Sequence, residues 1–144
     1  MATLLRQPAG WPTVLLGRAR DGGDPADLAA AEAAGAWSAW KAAVRQGPAA
    51  VISAVDEAGL RGRGGAGYPT ADKWRTVRAQ PAARRYAIGH GFEADPGTVT
   101  DRTLMEQDPH AVLEGLALAA FATGAQEALL AVRADATLAR ERLQ

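Results

Sequence analysis

Residues 59–74 read Gly-Leu-Arg-Gly-Arg-Gly-Gly-Ala-Gly-Tyr-Pro-Thr-Ala-Asp-Lys-Trp. Five of the first nine are glycine, which marks a loop. Glycine tolerates positive φ and lets backbone amides approach a ligand without a Cβ clash. Successive amides in such a loop form a concave nest for an anion. The bland alternative is a glycine hinge that only turns a corner. Two common phosphate-loop patterns do not apply. Gly62, Gly64 and Gly67 match G-x-G-x-x-G, but a helix precedes them and position 82 is Ala, not the acid a dinucleotide fold needs. The Walker pattern fails because no Gly-Lys-Ser/Thr follows.

Working outward, Gly47-Pro48 starts a helix whose Val51, Ile52 and Val55 form one stripe, and Gly59 sits where a left-handed C-terminal cap belongs. Upstream, Asp24-Pro25 reads as an N-cap and first helical residue, opening a helix to about Val44. Gly35 weakens that helix, and Trp37, Trp40 and Val44 are spaced to face the core. Thr13–Gly17 is a short strand candidate. Downstream, Thr70 to Val77 is a short helix and Tyr86–Gly89 a buried strand. Asp95-Pro96-Gly97 is a turn, and Asp101 caps a short helix through Glu106. Asp108-Pro109 opens a helix with Val112, Leu113, Leu116, Ala120 and Phe121 inward and Gly124 at its end. Ala128 to Arg133 is a second strand, and Asp135 to Leu143 a helix. Strands alternating with helices predict an α/β fold with helices packed on a small sheet.

Composition narrows the function. The 144 residues carry 16 Lys+Arg and 16 Asp+Glu, a balance that argues against a nucleic-acid binder. Only two of the cations are lysines. With no cysteine and only His90 and His110, disulfides, zinc knuckles, cysteine-ligated clusters and thiol nucleophiles are excluded within this chain, and no metal site is expected. No apolar run reaches the roughly 18 residues of a membrane span, so direct membrane insertion is not expected and a cytoplasmic setting is. Alanine supplies 35 residues, about half the hydrophobic set, so packing must rest on a few anchors such as Trp11, Trp37, Trp40, Trp74 and Phe121. Net zero charge also hides an asymmetry. Arg61 to Arg85 holds seven cations and one acid, whereas Tyr86 to Gly115 holds six acids and one cation. A basic glycine loop suits an anionic ligand.

The whole string Gly59–Trp74 resembles the flavin-binding loop of the NADH-oxidising flavoprotein subunit of respiratory complex I, and the same loop in related NAD-linked formate dehydrogenase and hydrogenase subunits. Three further stretches follow in the family's order. They are Asp95-Pro-Gly-Thr-Val-Thr-Asp-Arg102, then Met105 with Asp108-Pro-His110 and Glu114-Gly115, then Ala119-Ala-Phe-Ala-Thr-Gly-Ala125. The resemblance covers roughly residues 35 to 143. It implies an N-terminal extension over 1–34 and an FMN- and NADH-binding-like domain over 35–144, corresponding to the front half of that fold. It further implies a partner chain of a multi-subunit oxidoreductase that completes the domain, peripheral to a membrane complex. The alternative is a diverged accessory or assembly subunit that keeps the fold without redox turnover.

By this resemblance Gly62, Arg63, Gly64, Gly65, Ala66 and Gly67 line the flavin phosphate and ribityl chain, and Lys73 adds positive charge. Tyr68 takes the place of an aromatic that stacks on the adenine of NADH, or else is a core aromatic. Glu93 and Asp95 correspond to acids on the nicotinamide side. His90 stands where the family has a flavin-contacting Asn, Phe92 where it has Asp, and Thr76 where it has a second aromatic. The chemistry implied belongs to FMN and NADH, so no side chain is assigned as acid, base or nucleophile. His110 reads as a structural residue of a helix N-terminus.

Overall fold

The computed structural model describes residue 10, residues 15–19 and residues 23–144. Its elements are α1 (Leu28–Ala33), α2 (Ser38–Gln46), α3 (Pro48–Glu57), α4 (Thr70–Ala79), β1 (Tyr86–Gly91), α5 (Thr100–Gln107), α6 (Pro109–Thr123), β2 (Glu127–Val132) and α7 (Thr137–Arg142). The two strands pair in parallel, and the fold is α/β with helices on a small sheet, as expected. Of the upstream expectations, Trp11, Thr13 and Val14 lie outside the described residues. Leu15 to Gly17 run as bend and turn.

The chain divides into two compact units. One comprises the described part of Met1–Trp37 together with His90–Glu114 and Leu130–Gln144; the other comprises Ser38–Gly89 and Gly115–Leu129.

In the second unit the core is Ile52, Ala71 and Ala122, with Val51, Val55 and Trp74 packed against it. The Val51/Ile52/Val55 stripe therefore faces inward as its spacing requires. Trp40 meets Phe121 edge-on at 5.6 Å between ring centres. Val44, expected inside, is 55% exposed, and the buried residue of its helix is Ala43. Gly59 closes α3 in a Schellman arrangement. Its φ is 63°, its amide donates to Asp56 O (2.8 Å), and the Leu60 amide donates to Val55 O (3.3 Å). Gly124 closes α6 the same way, with φ 72° and bonds to Phe121 O and Ala120 O.

In the first unit Met105, Ala136 and Ala139 form the core, with Val112, Val132 and Leu143 around it. The helix expected from Asp24 to Val44 is not continuous. Asp27, not Asp24, caps α1 by accepting from the Ala30 amide (3.1 Å), while Asp24 makes a tight turn with the Ala26 amide (3.0 Å). The chain breaks after α1 at Gly35 (φ 94°) and Trp37 (φ 63°). A left-handed Trp costs on the order of 1–3 kcal/mol. It is held there by two long-range bonds: its amide donates to Glu114 Oε2 (2.9 Å) and its indole N–H to His110 Nδ1 (3.2 Å). Because the indole is donor-only, Nδ1 accepts and Nε2 carries the hydrogen toward Ala26 O (3.1 Å). His110 is thus structural, as read from the sequence.

Beside it lies an ion cluster that the sequence does not advertise. Arg18 forks onto Asp108 (Nε–Oδ2 3.1 Å, Nη2–Oδ1 3.4 Å) and reaches Glu114 Oε2 (3.5 Å). Both carboxylates are buried. Asp108 also caps α6 through the Ala111 amide (3.0 Å), with Pro109 at the first helical position.

The first strand is less buried than expected. In β1 Tyr86, Ile88 and His90 point outward, Ile88 at 65% exposure, and Leu129 of β2 is also exposed. Alternation, not full burial, is the pattern of a sheet covered on one face.

Asp108→Ala removes the cap of α6 and leaves Arg18 without its principal carboxylate. We expect a loss of about 1–3 kcal/mol in urea unfolding, from the lost cap and the weakened pair, because Arg18 is partly exposed and keeps Glu114. Asp108→Asn keeps the cap and should lose measurably less.

Candidate functional site

The glycine loop is a closed excursion between α3 and α4. Arg61 and Pro69 form an antiparallel bridge. The Gly62 amide donates to Tyr68 O (2.9 Å), the Thr70 amide to Leu60 O (2.9 Å), and Arg61 Nη1 to Gly67 O (2.9 Å). These three hydrogen bonds, two of which make the bridge, form a neck, and a hinge that only turned a corner would not need them. Gly62 therefore belongs to the neck, and the candidate amide nest begins at Arg63.

Within the loop Gly65 has φ 95° and Gly67 φ 58°, a region closed to most side chains. No protein atom lies within 4 Å of a Cβ built at Gly64, Gly65 or Gly67. Among the described residues, no group accepts from the amides of Arg63, Gly64, Gly65, Ala66 or Gly67. A run of unclaimed donors in a loop with room for a ligand beside its glycines is what an oxyanion or phosphate ester requires.

The charge field around the loop is weaker than the sequence count suggests. Arg75 bonds Asp56 and Asp72, Arg78 bonds Ala122 O, and Arg85 bonds carbonyls at the end of α4. Arg84 pairs loosely with Glu127 (3.5 Å). Arg63 and Lys73 remain as the loop's own cations, both exposed. Lys73 Nζ sits 5.9 Å from the centre of the Tyr68 ring, and Tyr68 is 50% exposed. The core reading of Tyr68 is thereby dropped.

The acidic segment lies in the other unit. Asp95 Oδ1 accepts from the Gly97 amide (2.9 Å) and Asp95 O from the Thr98 amide (3.1 Å), the expected turn. Glu93 does what Asp101 was expected to do. Its carboxylate accepts from the Asp101 amide (2.9 Å) and the Arg102 amide (3.5 Å) and so caps α5, whose N-cap residue Val99 has no side chain for the task. Asp101 instead sits in the first turn.

Arg133 organises this segment. It forks onto Asp135 (Nε–Oδ1 2.9 Å, Nη2–Oδ2 2.7 Å), donates to Glu93 O (3.1 Å), and lies 5.5 Å from the centre of the Phe92 ring. Hydrogen bonds from Arg133 hold the Asp135 carboxyl down to about 2. A cavity of about 200 Å³ opens between Glu93, Arg102, Met105 and Arg133. Sequence reasoning missed Arg133, because its contact to the acidic segment, at Glu93 O, lies 40 residues away. Among the described residues no His/Asp/Glu group is arranged to hold a metal, and no helix is long and apolar enough to cross a membrane.

Comparison with known proteins places these loops in a family. Residues 55–144 match the profile described as the Nuo51 FMN-binding domain. The F subunit of the Aquifex aeolicus NADH-quinone oxidoreductase is 41% identical over 101 residues, 70% of this chain and 24% of that protein. An F subunit of the Rhizobium meliloti NADH-quinone oxidoreductase is 41% identical over 118 residues, covering 81% and 27%. The NADP-reducing hydrogenase subunit HndC of Solidesulfovibrio fructosivorans is 41% identical over 97 residues, covering 67% and 20%. The crystal structure of an NAD+-reducing NiFe hydrogenase in the H2-reduced state superposes with a TM-score of 0.58 at 43% identity, over 68% of this chain and 18% of that one. The chain thus spans about a quarter of the length of the curated relatives it matches.

The folded carboxyl of Asp135 titrates below its unfolded value of about 3.9. Its contribution to stability is therefore complete above about pH 4 and is lost as the pH falls through about 2. A carboxyl-carbon NMR titration should place Asp135 near that value, and Arg133→Gln should return it toward the ordinary 3.8.

Proposed function

The chain belongs to the Nuo51 FMN-binding domain family, and we propose that it supplies the FMN- and NADH-handling surface of an NADH dehydrogenase-type oxidoreductase. The observation that carries this reading is the run of unclaimed amides from Arg63 to Gly67, with open space where a Cβ would stand at Gly64, Gly65 and Gly67. It fits a flavin phosphate and ribityl chain. The amides donate to phosphate oxygens, the positive-φ glycines keep the approach free of Cβ atoms, and Arg63 and Lys73 offset the charge. FMN held by these amides would supply the redox chemistry, hydride acceptance with NADH as donor and one-electron release to a partner's acceptor.

The protein's part is to bind and orient. Tyr68 offers a half-exposed ring to the adenine of NADH, and stacking there is worth about 1–3 kcal/mol. Glu93 and Asp95 serve the nicotinamide side in this reading, with His90 offering a ring nitrogen. The relatives are named as subunits, and we assign this chain a partner polypeptide in a multi-subunit assembly.

One observation favours a second reading, an accessory subunit that keeps the fold without turnover. The Glu93 carboxylate and Asp95 Oδ1 are already engaged by backbone amides, which leaves less capacity for a ribose.

Full-length chain mixed with FMN and desalted should retain quenched flavin. Gly65→Val, which cannot hold φ 95°, should weaken retention at least about tenfold, the effect of losing about 1.4 kcal/mol. Anaerobic NADH then separates the readings. Bleaching of the retained flavin supports turnover, and a retained flavin that does not bleach supports the accessory role. Unretained FMN, with candidate partner chains present, would sink the turnover reading and favour the accessory role.

A further inference from the structure

We propose that Arg61 is a positioning residue for the glycine loop, whose guanidinium keeps the amides from Arg63 to Tyr68 arranged as one preformed phosphate receptor. The proposal rests on the flavin-phosphate reading of that loop and adds to it the group that sets the loop's geometry.

Unclaimed amides act together only while the backbone holds one conformation. Gly64, Gly65 and Gly67 have no side chain to restrict them, and no protein atom lies within 4 Å of a Cβ built at any of the three. Side-chain packing at these positions therefore does not order the loop. Each glycine left free gives up its backbone entropy only when a ligand orders it, at the expense of affinity.

Arg61 supplies a restraint. Its Nη1 donates to Gly67 O (2.9 Å), six residues along the chain. The two main-chain bonds of the neck end at Gly62 and Tyr68. The guanidinium thus reaches one residue farther into the loop than the main-chain bonds do. Among the described residues it is the one group that bonds a carbonyl of the stretch Arg63–Gly67.

That carbonyl matters as much as the donors. A carbonyl turned in among the amides repels the same oxyanion that they attract. Holding Gly67 O on Arg61 keeps it at the neck. The peptide bond is planar and trans, so the Tyr68 N–H points away from the pinned carbonyl. Among the described residues no group accepts from the Tyr68 amide. The bond from Arg61 therefore both removes a repulsive oxygen and fixes the direction of a further donor. Arg61 does not touch the ligand in this scheme; it acts through the Gly67 peptide.

The test compares the full wild-type chain with Arg61→Met and Arg61→Lys, the fold of each checked by far-UV circular dichroism and thermal melting. Without ligand, NMR relaxation should show the amides from Arg63 to Tyr68 more mobile in Arg61→Met than in wild type, with the helices unchanged. Arg61→Met should bind FMN about fivefold more weakly, the scale of one hydrogen bond. Arg61→Lys keeps the charge and a donor and should stay near wild type. The difference between wild type and Arg61→Met should persist in about 0.5 M NaCl, where an effect of charge alone is screened. Unchanged loop mobility in Arg61→Met overturns the proposal, as does unchanged FMN affinity or a difference that vanishes in salt. In those cases the wild-type chain still retains FMN and the flavin reading stands. A wild-type chain that retains no FMN, with candidate partner chains present, overturns the flavin reading and the positioning role with it.

Discussion

The shortage of large apolar side chains is the constraint from which the rest of this structure follows. Alanine makes up about half of the hydrophobic residues, and the largest fully buried side chain is a proline, Pro109. Burying one methyl-sized group contributes about 0.8 kcal/mol. A hydrogen bond from a charged donor contributes about 1.5–3 kcal/mol when it is partly shielded. In such a chain the part-buried arginine-to-carbonyl bonds, those of Arg78, Arg133 and Arg142, add to the core as fasteners. Among the described residues, six arginines donate to main-chain carbonyls. Arg78, Arg85 and Arg142 do so at the C-terminal ends of α6, α4 and α5, and Arg61, Arg133 and Arg140 do so in loops. Helix C-termini carry unpaired carbonyls and the negative end of the dipole, so a guanidinium there satisfies two needs at once.

This explains why some features could be read from the sequence and others could not. The ends of α3 and α6 were legible at Gly59 and Gly124, because a Schellman cap is a local device that needs a residue tolerant of positive φ. Asp108-Pro109 was legible for the same reason: cap and first helical residue are neighbours. The break between α1 and α2 was half legible. Gly35 signalled weakness, but the left-handed Trp37 depends on Glu114 and His110, more than 70 residues away. Arg18 is farther still, 90 residues from Asp108. Nothing in the local pattern of a charged residue says which distant partner it will meet. Burial of the first strand was misjudged from its apolar composition. Composition records what a residue tolerates, and the outward placement of Ile88 and Leu129 depends on what covers the sheet.

The candidate site divides along the same line. The glycines at 65 and 67 were legible because positive φ dictates them. The cap formed by Glu93 was not legible, since Asp101 looked the better candidate by proximity. Side-chain reach decided otherwise. A Glu eight residues upstream bends back onto the α5 amides, while Asp101 sits inside the turn it was expected to cap.

Arginine's structural work also changes how the loop's charge is understood. Seven cations between Arg61 and Arg85 suggest a strong anion-attracting field. Arg61, Arg75, Arg78, Arg84 and Arg85 have carboxylate, hydroxyl or carbonyl partners, which orient them away from free roles. Their charge still contributes at long range, but screening at physiological salt limits that to about 8 Å. Selectivity at the loop therefore falls to directional groups, the amides from Arg63 to Gly67, assisted by two exposed cations. An amide nest discriminates by the shape and spacing of the acceptor oxygens, whereas a diffuse cationic surface would take any anion. In the proposed role the loop would favour a particular phosphate ester over negative charge in general, and the net charge of zero is compatible with that role.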